Sequence, residues 1–159
     1  ANRYYAIEPN KVMVYFGLRH VLGKKLCKRK RPTVHHNTDF TFSSFQQKFD
    51  YVIARSIWTH ASKKQIIVML DEFLRCSTPN AMFLASYIPT NGREEYEGEA
   101  WIGRSDTSEN RGYVYYRFSW IQSVCLERNL HVEELSDFIV GEQIWLRITH
   151  IHKGKPQTK

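Results

Sequence analysis

The sequence predicts an α/β fold, a mostly parallel sheet with crossover helices, and three observations carry that prediction. Apolar runs of strand length alternate with stretches of helical period along most of the chain. The first run, Tyr4-Tyr5-Ala6-Ile7, ends in the carboxylate of Glu8, and a helical pattern starts directly behind it. The strongest run, residues 49–56, is nearly continuous in apolar character, as expected of a strand covered on both faces.

Taken in order, the strand ending at Glu8 leads into a helix over about 10–22. Val12, Met13, Tyr15, Phe16, Leu18, Arg19 and Leu22 form its stripe at helical spacing, and Gly23 is placed to end it. Residues 24–31 hold six cations in eight positions and read as a basic connection. Residues 33–36 form a short strand that closes on Asn37-Thr38-Asp39-Phe40, and a polar segment over 42–49 leads to the long apolar run. Ser62 is a natural N-cap for a helix over 63–76 with Ile66, Ile67, Leu70, Phe73 and Leu74 inward. Pro79-Asn80 turn the chain into a buried strand over 81–87. Residues 88–112 have no sustained period and read as a long loop. Residues 113–117 are extended, Ser119 is expected to cap a helix through 128, and Asn129 to stop it in the left-handed conformation. Two strands, 131–135 and 143–150, joined by 137–142, make an antiparallel pair at the sheet edge. The expected organisation is one domain over 1–152 followed by a polar tail over 153–159.

Composition narrows the class. An apolar fraction of 42% and an aromatic fraction of 14% suit a globular domain. The formal charge of +7 makes a polyanionic partner worth weighing. Cys27, Cys76 and Cys125 are widely spaced and odd in number, which points to a reducing, cytoplasmic setting and to no metal site. No run approaches the roughly 18 apolar residues of a membrane span.

In an open α/β sheet, ligands bind outside the carboxyl ends of the strands. Three such ends carry chemistry here: Glu8, Asp39, and the Ala54-Arg55-Ser56 end of the long run. An ionised carboxylate only accepts hydrogen bonds, so Glu8 suits two ribose hydroxyls and Asp39 suits an exocyclic amine. Phe40 beside Asp39 offers an apolar face for a ring. Each acid alone is also explained by the preference for Asp and Glu near helix starts; the pair before a long buried strand is more specific.

These residues resemble the class I S-adenosylmethionine-dependent methyltransferases from their second strand onward. Tyr5-Ala6-Ile7-Glu8-Pro9-Asn10 resembles the strand ending in the ribose-binding acid, and Asn37-Thr38-Asp39-Phe40 the acidic turn at the adenine amine. Residues 49–60 resemble the fourth strand and the loop after it, 74–86 the following helix, turn and strand, and 119–146 the last helix and closing hairpin. The resemblance implies a Rossmann-like three-layer sandwich with S-adenosyl-L-methionine as cofactor. It implies cofactor-binding roles for Glu8, Asp39, Phe40, Ala54 and Arg55, and methyl transfer to a small-molecule O or N nucleophile. The family's first strand and glycine-rich turn are absent from this sequence, so the fold is expected to be incomplete at its N-terminus. The sheet is then expected to be split, and this chain alone is not expected to complete the reaction.

His60 follows the third strand end and is the candidate base, the alternative being a hydrogen bond at the helix start near Ser62. Trp58 is a candidate substrate contact, with core packing as the simpler role. Tyr96 and Trp101, among Glu94, Glu95, Glu97 and Glu99, are candidates for a substrate lid, which the resemblance places after the fifth strand; a solvated loop explains the same residues. Two further readings stand beside the enzyme: a non-catalytic cofactor-binding or scaffold domain, and an RNA-binding or RNA-modifying module using the basic run. That run lacks interleaved aromatics, so nucleic acid is the less favoured partner and no membrane partner is expected.

Overall fold

A computed structural model describes residues 3–103 and 112–151 of the 159. The expected polar tail and part of the long loop lie outside the described residues. The chain divides into two compact units, Ala1–Gln46 and Gln47–Lys159.

In the first unit, strands β1 (Tyr5–Ile7) and β2 (Thr33–His35) pair in parallel, with Ile7 opposite His35. The connection between them is helical throughout: α1 (Lys11–Phe16), a π-helical segment (Gly17–Leu22) and α2 (Gly23–Lys30). The start is set by Asn10, whose side chain accepts the Met13 N–H at 3.0 Å. Gly23 does not end the helix as expected. It takes φ 71° at the junction, a value that costs a glycine little, and the chain continues into α2. The basic run is therefore helical rather than a loop. Lys and Arg are good helix formers, and cations in the last turn oppose the partial negative charge of a helix C-terminus. Arg31, at φ 46° just before Pro32, is the true stop. The expected inward stripe is also corrected: no helix residue in this unit is buried, and Val21 is 83% exposed. Two strands of three residues present too little sheet to cover an apolar helix face.

The second unit is a four-stranded sheet in the order β3 (Phe49–Ala54), β4 (Ser77–Tyr87), β6 (Gln143–His150), β5 (Leu130–Val140). β3 and β4 are parallel, and β6 is antiparallel to both β4 and β5, which gives the expected closing hairpin. Helix α3 (Lys63–Cys76) opens on a capping box in which Ser62 and Gln65 satisfy each other's backbone N–H groups, at 3.3 and 2.9 Å. Its Ile66, Leu70 and Phe73 join Trp58, Phe83, Leu146 and Ile148 in the core. Pro79-Asn80 do not break the chain into a separate turn. Their extra residues are absorbed as an irregularity within β4, where the register steps from Phe49–Ser77 to Tyr51–Met82. Helix α4 (Phe118–Leu126) has Arg117 at its N-cap position, two residues before the expected Ser119, and Asn129 takes the expected left-handed conformation at φ 54°.

β3 departs from its sequence pattern. Tyr51 and Ile53 are about two-thirds exposed, at 66% and 65%, while Ala54 is buried. Apolar letters on both faces of a strand express a tendency to be covered; here one face carries no cover among the described residues. Among the described residues β3 has a single hydrogen-bonded neighbour, and the β1–β2 pair forms a separate sheet, as expected.

Candidate functional site

Parallel pairing of β1 with β2 brings two of the expected residues to adjacent carboxyl ends. Glu8 follows β1 and donates its backbone N–H to the His35 carbonyl at 3.0 Å; its own carbonyl accepts from His36 Nδ1 at 2.6 Å. The acidic turn begins two residues after β2. Glu8 spends Oε1 on the Asn10 N–H at 2.9 Å, so one carboxylate oxygen helps to shape the helix start. Asp39 is exposed, and its Oδ1 accepts both the backbone N–H of Thr41 (3.0 Å) and its hydroxyl (2.7 Å). Those bonds hold the Asp39 carboxyl below its ordinary range, the backbone N–H contributing most, so it stays ionised and an acceptor. Both bonds fall on Oδ1. Phe40 follows at φ 60°, a left-handed conformation unusual for a bulky residue. Asn37 braces the same turn by donating to the Thr41 carbonyl at 2.8 Å.

The second unit positions the other candidates around a turn over 55–60. Ala54 closes β3, buried opposite Ala85, and Arg55 is exposed. Ser56, at φ 54°, donates its N–H to Ser86 Oγ at 2.8 Å. The hydroxyls of Ser56 and Ser86 both donate to Gln143 Oε1, at 3.0 and 2.9 Å. This network ties the ends of β3, β4 and the hairpin together, and the sequence offered no signal for it because its members lie 30 and 57 residues apart. Trp58 takes the core role: it is fully buried with its ring edge-on to Phe83, at 5.7 Å.

His60 and Trp101 do come together, with ring centroids 5.4 Å apart. Tyr113, which sequence reasoning passed over as part of an extended stretch, lies 5.2 Å from the same imidazole. Backbone bonds fasten the loop on both sides of the turn: Ile102 N–H to the His60 carbonyl (2.8 Å) and Val114 N–H to the Thr59 carbonyl (2.9 Å). The Tyr116 hydroxyl donates to the Ala61 carbonyl at 2.6 Å. His60 makes no bond at the start of α3, where Ser62 is served by Gln65. Among the described residues its buried Nδ1 has no hydrogen-bond partner, and neither have Trp58 Nε1 and Thr59 Oγ1. Tyr96 is folded into its own turn, donating its hydroxyl to the Ala100 carbonyl at 2.9 Å. The expected acidic lid is partly neutralised. Glu97 and Glu95 meet the Lys63 ammonium at 2.5 and 3.7 Å, and Glu95 accepts the Arg117 N–H at 3.0 Å.

No family model and no curated protein matches this sequence. Its structure does match solved ones. An O-methyltransferase family protein from Burkholderia thailandensis superposes with a TM-score of 0.63 at 13% identity, over 96% of this chain and 44% of that one. The glycopeptide N-methyltransferase MtfA, solved with S-adenosyl-L-methionine, gives 0.63 at 11% identity over 92% of this chain and 76% of its own. A SAM-dependent methyltransferase from Methanosarcina mazei gives 0.61 at 12% identity, over 94% of this chain and 83% of that one. At such identities the likeness defines the fold. The chain has the Rossmann-like α/β fold of SAM-dependent methyltransferases. It spans less than half of the Burkholderia protein.

Proposed function

We propose that this chain is an S-adenosyl-L-methionine-dependent methyltransferase domain that acts on a small-molecule O or N nucleophile. The observation that carries the reading is the register of Ile7 with His35, which sets Glu8 and the Asp39 turn behind adjacent parallel strands. The donor set fits the nucleoside end of the cofactor. Glu8 is an acceptor for ribose hydroxyls, Asp39 has Oδ2 for the adenine amine, and Phe40 supplies an apolar surface. Ala54 and Arg55, at the end of β3 in the second unit, keep the cofactor-binding role that the resemblance implies for them. Among the described residues, nothing substitutes for the glycine-rich turn expected at the amino-acid end.

When bound, S-adenosyl-L-methionine supplies a methyl group already activated by its sulfonium. The work left to this chain is alignment of the acceptor and exclusion of water. His60 is assigned as the base that takes the acceptor's proton, with Trp101 and Tyr113 fixing the plane of its ring. Tyr96 and Trp101 belong to the loop that covers the turn. The acceptor class rests on the mixed O- and N-methyltransferase neighbours. A cytoplasmic setting accords with three free cysteines, two of them buried.

Calorimetric titration with S-adenosylhomocysteine tests the assignment. Binding weakened at least tenfold by Glu8→Ala and by Asp39→Ala supports it; absence of binding by the intact protein overturns it.

A further inference from the structure

The charge of this protein is confined to one unit. Residues 1–46 carry nine Lys and Arg against two Asp and Glu, whereas residues 47–159 carry fourteen of each, so the whole formal charge of +7 belongs to the first unit. No acidic residue occurs between Glu8 and Asp39. The densest part of that stretch is α2 with its cap. Lys24, Lys28 and Arg31 share one side at helical spacing, Lys25 and Arg29 stand beside them, and all five are exposed. None of the five is paired with a carboxylate among the described residues.

The π-helical segment adds what the linear sequence seemed to lack. It brings Tyr15, nine residues before Lys24, into the wall of an open concavity of about 480 Å³ lined also by Leu18, Arg19, Lys24 and Cys27. Arg19 lies 5.5 Å from the centre of the Tyr15 ring and donates to its hydroxyl, so the two form a cation–aromatic layer beside the first lysine. Aromatic rings and guanidinium planes are the surfaces on which unpaired bases stack, and rows of cations follow the phosphates. Residues four apart on a helix are separated by a rise of about 6 Å, which lets successive cations reach successive phosphates.

We propose that α2 and the Tyr15–Arg19 layer form a binding surface for single-stranded nucleic acid, independent of the methyltransferase reading. The phosphate backbone runs along Lys24, Lys25, Lys28, Arg29 and Arg31, and one base stacks on Tyr15 and Arg19. An anionic bilayer fits less well. A helix lying on a membrane needs an apolar face along its length, and α2 offers only Leu26 and Cys27, both partly buried. The exposed apolar side chains Val12, Met13, Phe16, Val21 and Leu22 lie in the preceding helical turns and not on α2 itself.

The test is fluorescence anisotropy of a labelled 20-nucleotide oligouridylate with the full chain across a salt series. Five neutralised phosphates give a slope of log K on log salt of about −3.5. Lys28→Glu with Arg29→Glu should weaken binding at least thirtyfold at low salt and flatten the slope. Tyr15→Ala should weaken binding about fivefold or more with the slope unchanged. No binding at 50 mM salt, or binding indifferent to the charge reversal, would overturn the proposal. Sedimentation with phosphatidylserine vesicles in place of RNA binding would overturn it too.

Discussion

The imidazole of His60 packs against the backbone of Gly103 so closely that a Cβ at position 103 would fall 2.3 Å from Nδ1. Gly103 also holds φ +119°, a conformation that side chains with a Cβ rarely adopt. Its contact therefore fixes one edge of the ring, while Trp101 and Tyr113 lie within 5.4 Å of it. Gly103→Ala must displace either the ring or the loop. The expected loss of stability is about 1–3 kcal/mol, with a changed near-ultraviolet circular dichroism signal from Trp101. An unaltered aromatic spectrum would show that the packing at His60 is looser than described.

Lys63 holds the loop from the other side. Its ammonium serves Glu95 and Glu97 and lies 5.2 Å from the centre of the Trp120 ring. Partly exposed ion pairs contribute only about 0–1 kcal/mol each, so Lys63→Met should barely change global stability. It should speed hydrogen exchange at the Ile102 amide several-fold, and Lys63→Arg should restore protection. Equal acceleration at the β4 amides would show a global effect instead.

The Ser56–Ser86–Gln143 network predicts a specific cost. Ser86→Ala removes the acceptor of the Ser56 N–H and leaves that donor beside a strained turn, at about 1–2 kcal/mol. Ser86→Thr, which keeps the hydroxyl, should lose less. Urea denaturation of both variants separates the lost bond from the altered packing.

Alkaline pH should weaken the second unit. Burial pushes the Cys125 thiol up from 9.0 to about 12, and burial likewise raises Tyr87 and Tyr116. These groups keep their protons in the folded chain after the unfolded chain has released them. Their contribution is thus complete below about pH 9 and declines as pH rises toward 12. The urea midpoint should fall between pH 9 and pH 11, and Cys125→Ala should fall less steeply than the parent. Parallel curves would remove Cys125 from the account.

Where the sequence succeeded, local chemistry and tertiary packing agreed. The Ser62 N-cap, the inward Ile66, Leu70 and Phe73 of α3, the left-handed Asn129 and the closing hairpin follow from short patterns that the fold does not override. Failures came where the deciding partner is distant or missing. The basic run became helix because propensity outweighed Gly23 as a stop signal. Tyr51, Ile53 and the α1 stripe are exposed because apolar pattern records a preference for cover and not its presence. At the candidate site, Glu8 and Asp39 were expected from their places at strand ends, and His60 and Trp101 were each named separately, but their ring contact was not foreseen. Tyr113, Gly103, Ser86 and Gln143 were not expected, because each acts through contacts with residues far away in the sequence.

The central claim is that Glu8 and the Asp39 turn form the nucleoside end of a cofactor site, and nuclear magnetic resonance tests it most directly. Titrating S-adenosylhomocysteine into the labelled full chain should give saturable shifts at the amides of Glu8, Asp39 and Thr41, abolished in Asp39→Ala. Saturable binding that leaves those three amides unmoved would contradict the account.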